Sequence, residues 1–185
     1  MTHTKFTAGD LASLFNWSLI RLHELACADE LPIVVSESFR PFSHQDQFSY
    51  SDALMVEVAR QMHDDGGISI LAASKLVLNA GIGAPREDGA DHWIAIVRYR
   101  NTWGDSNPRG SIPVTEIGHD EYWSSSHFAG SLGEVTSAIT AEIGRSAKEH
   151  PGSDPARIFL ANVSTADRRL RNRAAALGLK IASLG

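Results

Sequence analysis

The sequence predicts an α+β protein, with a winged helix-turn-helix-like helical domain over residues 5–80 followed by a small α/β domain of order ββαβαβ over residues 90–185. Three observations carry this. Apolar residues recur at helical spacing through most of the first 80 residues. After residue 90 strand-like apolar runs alternate with helical ones. Between the two regions lies Gly81-Ile82-Gly83-Ala84-Pro85-Arg86-Glu87-Asp88-Gly89, where three glycines, a proline and three charges interrupt the pattern as a linker or exposed turn does.

In the first region Thr7-Ala8-Gly9-Asp10-Leu11-Ala12-Ser13-Leu14 reads as a short helix, with Leu11, Leu14 and Phe15 on one face. Leu19, Ile20, Leu22 and Leu25 resume the period after a break at Asn16, so two helices in angular contact are expected. Pro32-Ile33-Val34-Val35 is a short strand, residues 40–47 a loop, and Phe48 with Tyr50 the returning strand of a wing hairpin. Ser51-Asp52 would cap the next helix, whose Leu54, Val56, Val58, Ala59 and Met62 form its apolar side and which Asp64-Asp65-Gly66-Gly67 ends. Ile70 to Leu78 is apolar on most sides and is expected to be a buried helix.

The second region opens on a strand, His92 to Arg100, followed by a turn over residues 101–110 and a second strand from Ser111 to Ile117. Ser131 to His150 is a helix with a seam of Leu132, Val135, Ile139, Ile143 and Ala147, suited to core packing or to pairing with a second copy, and closed by Pro151-Gly152. Ile158 to Val163 is a third strand. Ser164-Thr165 would cap an arginine-rich helix from Ala166 to Leu177, Gly178 would end it, and Leu179 to Ala182 would return as a fourth strand through a right-handed parallel crossover. No internal repeat or low-complexity tract is evident.

With 43% hydrophobic and 21% charged residues, a chain of 185 residues can bury a proper core. No run approaches the roughly 18 apolar residues of a membrane helix, and the first residues lack an apolar signal core, so a cytoplasmic protein without membrane partners is expected. Cys27 is the single cysteine, which excludes an internal disulfide and a cysteine-rich zinc module and predicts a buried, unreactive thiol. The net charge of -5 is unevenly spread: residues 1–80 hold five Lys or Arg against ten Asp or Glu, whereas residues 81–185 hold twelve of each. Since phosphate neutralisation supplies most non-specific affinity for nucleic acid, a head of this sign needs its cations on one face to bind DNA.

The first region resembles the mercury-resistance-regulator (MerR) family of transcription regulators. The matching residues are Phe6-Thr7-Ala8-Gly9-Asp10-Leu11-Ala12 in the first helix, Ile20-Arg21-Leu22-His23-Glu24 at the family's Ile-Arg-aromatic-aromatic-Glu box, and Tyr50-Ser51-Asp52-Ala53-Leu54 with Gly67-Ile68-Ser69-Ile70 after the wing. The resemblance implies a dimeric binder of double-stranded DNA whose second helix enters the major groove, whose wing touches backbone, and whose C-terminal region dimerises, senses a signal or binds a protein partner. Asn16, Trp17, Ser18 and Arg21 would meet the base edges, with Arg40, His44, Gln45 and Gln47 on the wing. Three features depart from the family: the turn between the helices is shorter, Leu22 stands where an aromatic is usual, and the wing lacks its usual pair of arginines.

Arg168, Arg169, Arg171 and Arg173, with Arg157 and Lys180, form the most basic stretch, read either as a solvated helix face or, through Arg168 and Arg169 above all, as a source of phosphate contacts. The strand-turn-helix from Ile158 to Arg171 is similar to the closing section of PIN-type nucleases, in which Asp167 would help hold a metal. A two-metal nuclease needs several carboxylates converging from different strand ends, which the sequence does not supply, and Asp167 is better placed in the first turn of a helix, favoured by the macrodipole. His119-Asp120-Glu121 and His127 match no standard metal motif, His127 being expected in a serine-rich loop, and His92 is expected to be structural. No phosphate loop, nucleophile elbow or zinc-protease helix is present. The expectation is therefore a non-enzymatic DNA-binding regulator without metal or cofactor. Its competitors are a protein-interaction module built on a degenerate helix-turn-helix head and a metal-dependent nuclease.

Overall fold

A computed structural model describes residues 5–28, 30–33, 42, 46–80, 89–102 and 121–181. The fold is mixed helix and sheet, of α+β type. The chain divides into two compact units, one made of Met1–His92 with Ala161–Gly185 and the other of Trp93–Leu160.

In the first unit a two-stranded antiparallel sheet, β1 (Lys5–Thr7) and β2 (Gln47–Ser49), sets Phe6 opposite Phe48. Each strand runs straight into a helix: β1 into α1 (Ala8–Phe15), β2 into α3 (Tyr50–Asp64). The two junctions use the same chemistry, written as Phe6-Thr7-Ala8-Gly9-Asp10 and Phe48-Ser49-Tyr50-Ser51-Asp52. At each, the Thr7 or Ser49 hydroxyl accepts from the backbone N–H of Asp10 or Asp52, and that aspartate accepts from the cap residue's N–H at 3.0 and 2.7 Å. Both satisfy orphan N–H groups and put negative charge at a positive helix end. Between them lies α2 (Leu19–Cys27), and α4 (Ile70–Ala80) follows α3.

The final helix, α6 (Val163–Ala176), also belongs to this unit. Val163, Ala166, Leu170 and Ala174 recur at three- and four-residue spacing and are all fully buried, and α6 packs on α3 and α1. The expected C-terminal domain over residues 90–185 is thus divided, because this apolar stripe needs a helical surface to cover it. The rest of the core comes from Phe6, Leu11, Leu14, Phe15, Leu22, Leu54, Val58 and Val77 among others.

Two details of the expected wing change. Phe48 pairs with β1 instead of with residues 32–35, of which Pro32 and Ile33 lie in no strand and Val34 and Val35 lie outside the described residues. Tyr50 is helical, since the cap sits at Ser49 and not at Ser51-Asp52; only from Ser49 can a hydroxyl reach the N–H of Asp52 while Asp52 reaches back.

The second unit is a three-stranded sheet of order β4-β3-β5, formed by β3 (Trp93–Thr102), β4 (Glu121–Gly130) and β5 (Ser153–Asn162), with α5 (Leu132–Glu149) between β4 and β5 in sequence. β3 and β4 are antiparallel, with Trp93 opposite Gly130 and Tyr99 opposite Ser124. Ala95, Val97 and Tyr99 alternate onto one face of β3 and pack with Val135 and Ile139 of α5, joined by Trp93, Phe128 and Ile143. Ser131 caps α5 reciprocally with Glu134. Gly130 enters α5 with a positive φ of 155, a conformation that side chains strain and glycine adopts freely.

The expected strand at residues 111–117 lies outside the described residues; β4 pairs with β3 instead. His127 is in β4, opposite Ile96, and not in a loop. A serine-rich run reads as a loop by composition, yet Ser124, Ser125 and Ser126 supply ladder partners for Tyr99, Arg98 and Val97. Leu179 to Ile181 form no strand and Ala182 lies outside the described residues, so the closing crossover of the expected ββαβαβ order is not found among them. Of the α5 seam, Val135 and Ile139 are buried in the core, whereas Leu132 and Ala147 are exposed.

Candidate nucleic-acid interface

α1 stops at Asn16, whose backbone is left-handed (φ 56) and whose N–H bonds back to the carbonyls of Ala12 and Ser13. Asparagine tolerates this conformation, and it turns the chain within two residues toward Ser18, the N-cap of α2. Ser18 Oγ accepts from the Arg21 N–H at 3.0 Å. Leu22, Leu25 and Ala26 bury the inner face of α2, which leaves Ile20, Arg21, Glu24 and Cys27 outward. Ile20 is 72% exposed, more than any other large hydrophobic residue among those described.

The four residues expected to read bases are therefore not equivalent. Arg21 projects from the first turn of α2 with its side chain 55% exposed, held by Glu24 at 3.4 Å and approached by Glu30 at 4.0 Å. Ser18 spends its hydroxyl on the cap and Asn16 its backbone on ending α1, although both residues are exposed. Trp17 is half-buried: its ring stacks on Phe15 with centroids 5.0 Å apart, and the Arg60 guanidinium lies 5.8 Å over it. Such packing makes Trp17 a wall of the turn. Arg60 was not among the expected residues, and no sequence spacing links it to Trp17.

Of the wing residues, Arg40, His44 and Gln45 lie outside the described residues, as do residues 81–88 of the expected linker. Gln47 is exposed in β2, opposite Thr7.

The arginines of α6 are committed to carboxylates. Arg168 donates to Asp91 at 2.8 Å, and this contact, with a hydrogen bond from Asn162, holds the Asp91 carboxyl below its usual range. Arg169 lies 4.0 Å from Asp65. Arg173 pairs with the buried Glu57 and donates to the Leu14 carbonyl at 3.3 Å, close to the end of α1. Arg171 Nε donates to Asp167 Oδ2 at 2.8 Å, and the Tyr50 hydroxyl donates to Asp167 Oδ1. Arg171 also lies 5.1 Å over the Tyr50 ring. Burial first, and then the bond to the Asp167 carboxylate, push the Tyr50 phenol well above its ordinary value. With both oxygens engaged, Asp167 fastens α6 to the start of α3, a role unlike that of a metal ligand.

The remaining candidates are scattered. Cys27 is exposed, contrary to the expected buried thiol, because it falls on the outer side of α2; its sulfur lies 3.5 Å from His23 Nε2. His92 is buried and structural: its N–H donates to Ser164 Oγ at 2.8 Å and its carbonyl accepts from the Val163 N–H, also at 2.8 Å. Burial holds the His127 imidazole below its ordinary value. His119 and Asp120 lie outside the described residues, and among those described no group of three or more His, Cys, Asp or Glu is placed to hold a metal. Nor is any described helix long and apolar enough to cross a membrane.

No protein-family model matches this chain, and no curated protein matches it.

Proposed function

We propose that the chain is a cytoplasmic, DNA-binding transcription regulator of MerR-like type, with α2 as its probe of the major groove. The observation that carries this reading is the outward presentation of Arg21 beside Ile20 on a helix capped by Ser18 and backed by a buried apolar face. An exposed ion pair of this kind is worth about 0–1 kcal/mol, so Glu24 and Glu30 would yield Arg21 to guanine or phosphate at little cost. A twofold pair of chains would read a pseudo-palindromic site. The test is retardation of the DNA upstream of its own gene, and of duplexes selected from a random pool, at moderate salt. Arg21→Ala should reduce affinity about 5- to 150-fold, the scale of one bidentate base contact of about 1–3 kcal/mol; unchanged retardation would count decisively against the reading.

A second reading is favoured by the ion pairs of Arg21, Arg168 and Arg169, which leave these cations partly neutralised. In it the head docks onto a protein through Ile20 and its neighbours. Salt separates the two, since log affinity for DNA falls linearly with log salt concentration. A protein-docking head would show no salt-sensitive retention on random duplex.

A further inference from the structure

The outer face of α2 carries three side chains of different chemistry within five residues: an aliphatic group (Ile20), a cation (Arg21) and a carboxylate (Glu24). Resting on the proposed DNA-binding reading, we propose that Ile20 is a specificity-determining residue that packs against the C5-methyl of a thymine.

Ile20 stands alone on this surface in its exposure, at 72%, while its neighbours Leu22 and Leu25 are buried. The isolated helix therefore gains nothing from its aliphatic side chain, which a polar residue would replace without loss of packing. Its position is the second residue of α2, two residues from Ser18, where a helix entering the major groove brings side chains to base edges. The thymine methyl is the apolar feature of that groove; the other edge groups are hydrogen-bond donors and acceptors. An aliphatic side chain there can reward only thymine.

Its neighbours narrow the site further. Arg21 supplies donors that match guanine O6 and N7, and Glu24, one turn further on, is an acceptor that matches cytosine N4 and repels phosphate. Arg21 and Glu24 already lie 3.4 Å apart, so they would address adjacent edges of one base pair or step. The recognised half-site is then a thymine flanking a G·C pair.

The experiment uses the full-length chain and duplexes selected from a random pool. Thymines are replaced one at a time by deoxyuridine, which removes the methyl and keeps every hydrogen bond. One thymine should show about a fourfold loss of affinity with the unaltered protein, the scale of one buried methyl group. Ile20→Ala should bind the thymine duplex about fourfold more weakly and be indifferent to the replacement. Its thermal midpoint, unchanged because the side chain is exposed, would exclude a folding defect. Tight selected binding with no thymine sensitive to methyl removal, or with equal sensitivity in Ile20→Ala, overturns the assignment of Ile20 and leaves DNA binding standing. Failure to select any duplex overturns both.

Discussion

Two helices of one compact unit carry the arginines that a sequence reader would assign to nucleic acid, and they use them differently. On α6, Arg171 and Arg173 reach inward to Asp167 and the buried Glu57, whose side chain is 4% exposed. On α2, Arg21 stays in solvent between two carboxylates that hold it loosely. Half of the cation-rich helix is thus a fastening, while its Arg168 and Arg169 stay about as exposed as Arg21. Counting charges along the chain does not separate the two kinds, because the value of a guanidinium for binding depends on how deeply its present partner is desolvated.

The contrast is sharpest at Arg173. Arg173→Ala should cost about 3 kcal/mol of stability in urea unfolding, since it strands the Glu57 carboxylate inside the unit. A loss below about 1 kcal/mol would mean that the pair is no more a fastening than those of Arg21.

Tyr50 comes next. Tyr50→Phe should cost about 1–2 kcal/mol near neutral pH by removing a hydrogen bond to a charged acceptor. The phenol's raised pKa adds a test of sign. Above the ordinary tyrosine value of 10.0 the unfolded chain releases the proton while the folded one keeps it, so folded stability should fall as pH rises beyond that point. Below it the group makes no pH-dependent contribution. In Tyr50→Phe this alkaline loss should shrink; an identical pH profile in both proteins would place the phenol outside the network with Asp167.

The smallest effects are expected where the ion pairs face solvent. Arg168→Ala and Arg21→Ala should leave the thermal midpoint unchanged within error, in contrast to Arg173→Ala. A marked fall for Arg21→Ala would assign that arginine to the fold and weaken its use as a probe.

Much of the helical architecture was readable from the chain. The periodicity of Leu11, Leu14 and Phe15, the break at Asn16 and the renewed pattern from Leu19 locate α1 and α2 closely, because local spacing and turn chemistry act within a few residues. Ser131 marks the start of α5 for the same reason. The strand partners were not readable: nothing in Phe48 says that it meets Phe6, and the serines of β4 have no strand signature. At the candidate interface, Asp167 was expected in the first turn of a helix, but its bonds to Arg171 and to Tyr50, 117 positions away, appear only in the fold. The exposure of Cys27 was misread because a lone thiol on an amphipathic helix can fall on either face.

By itself, then, the chain determined where its helices run and, at Ser131, the cap of α5, properties set by neighbours within a turn or two. The caps of α3 and α6 fall at Ser49 and Asn162 instead of Ser51-Asp52 and Ser164-Thr165. Only the tertiary structure decided that α6 joins the N-terminal unit, that its Arg173 holds Glu57 of α3, and that Ile20 and Arg21 remain outside. Those outcomes depend on which apolar stripe finds a complementary surface and which charges that packing desolvates, and both are settled between residues far apart in sequence.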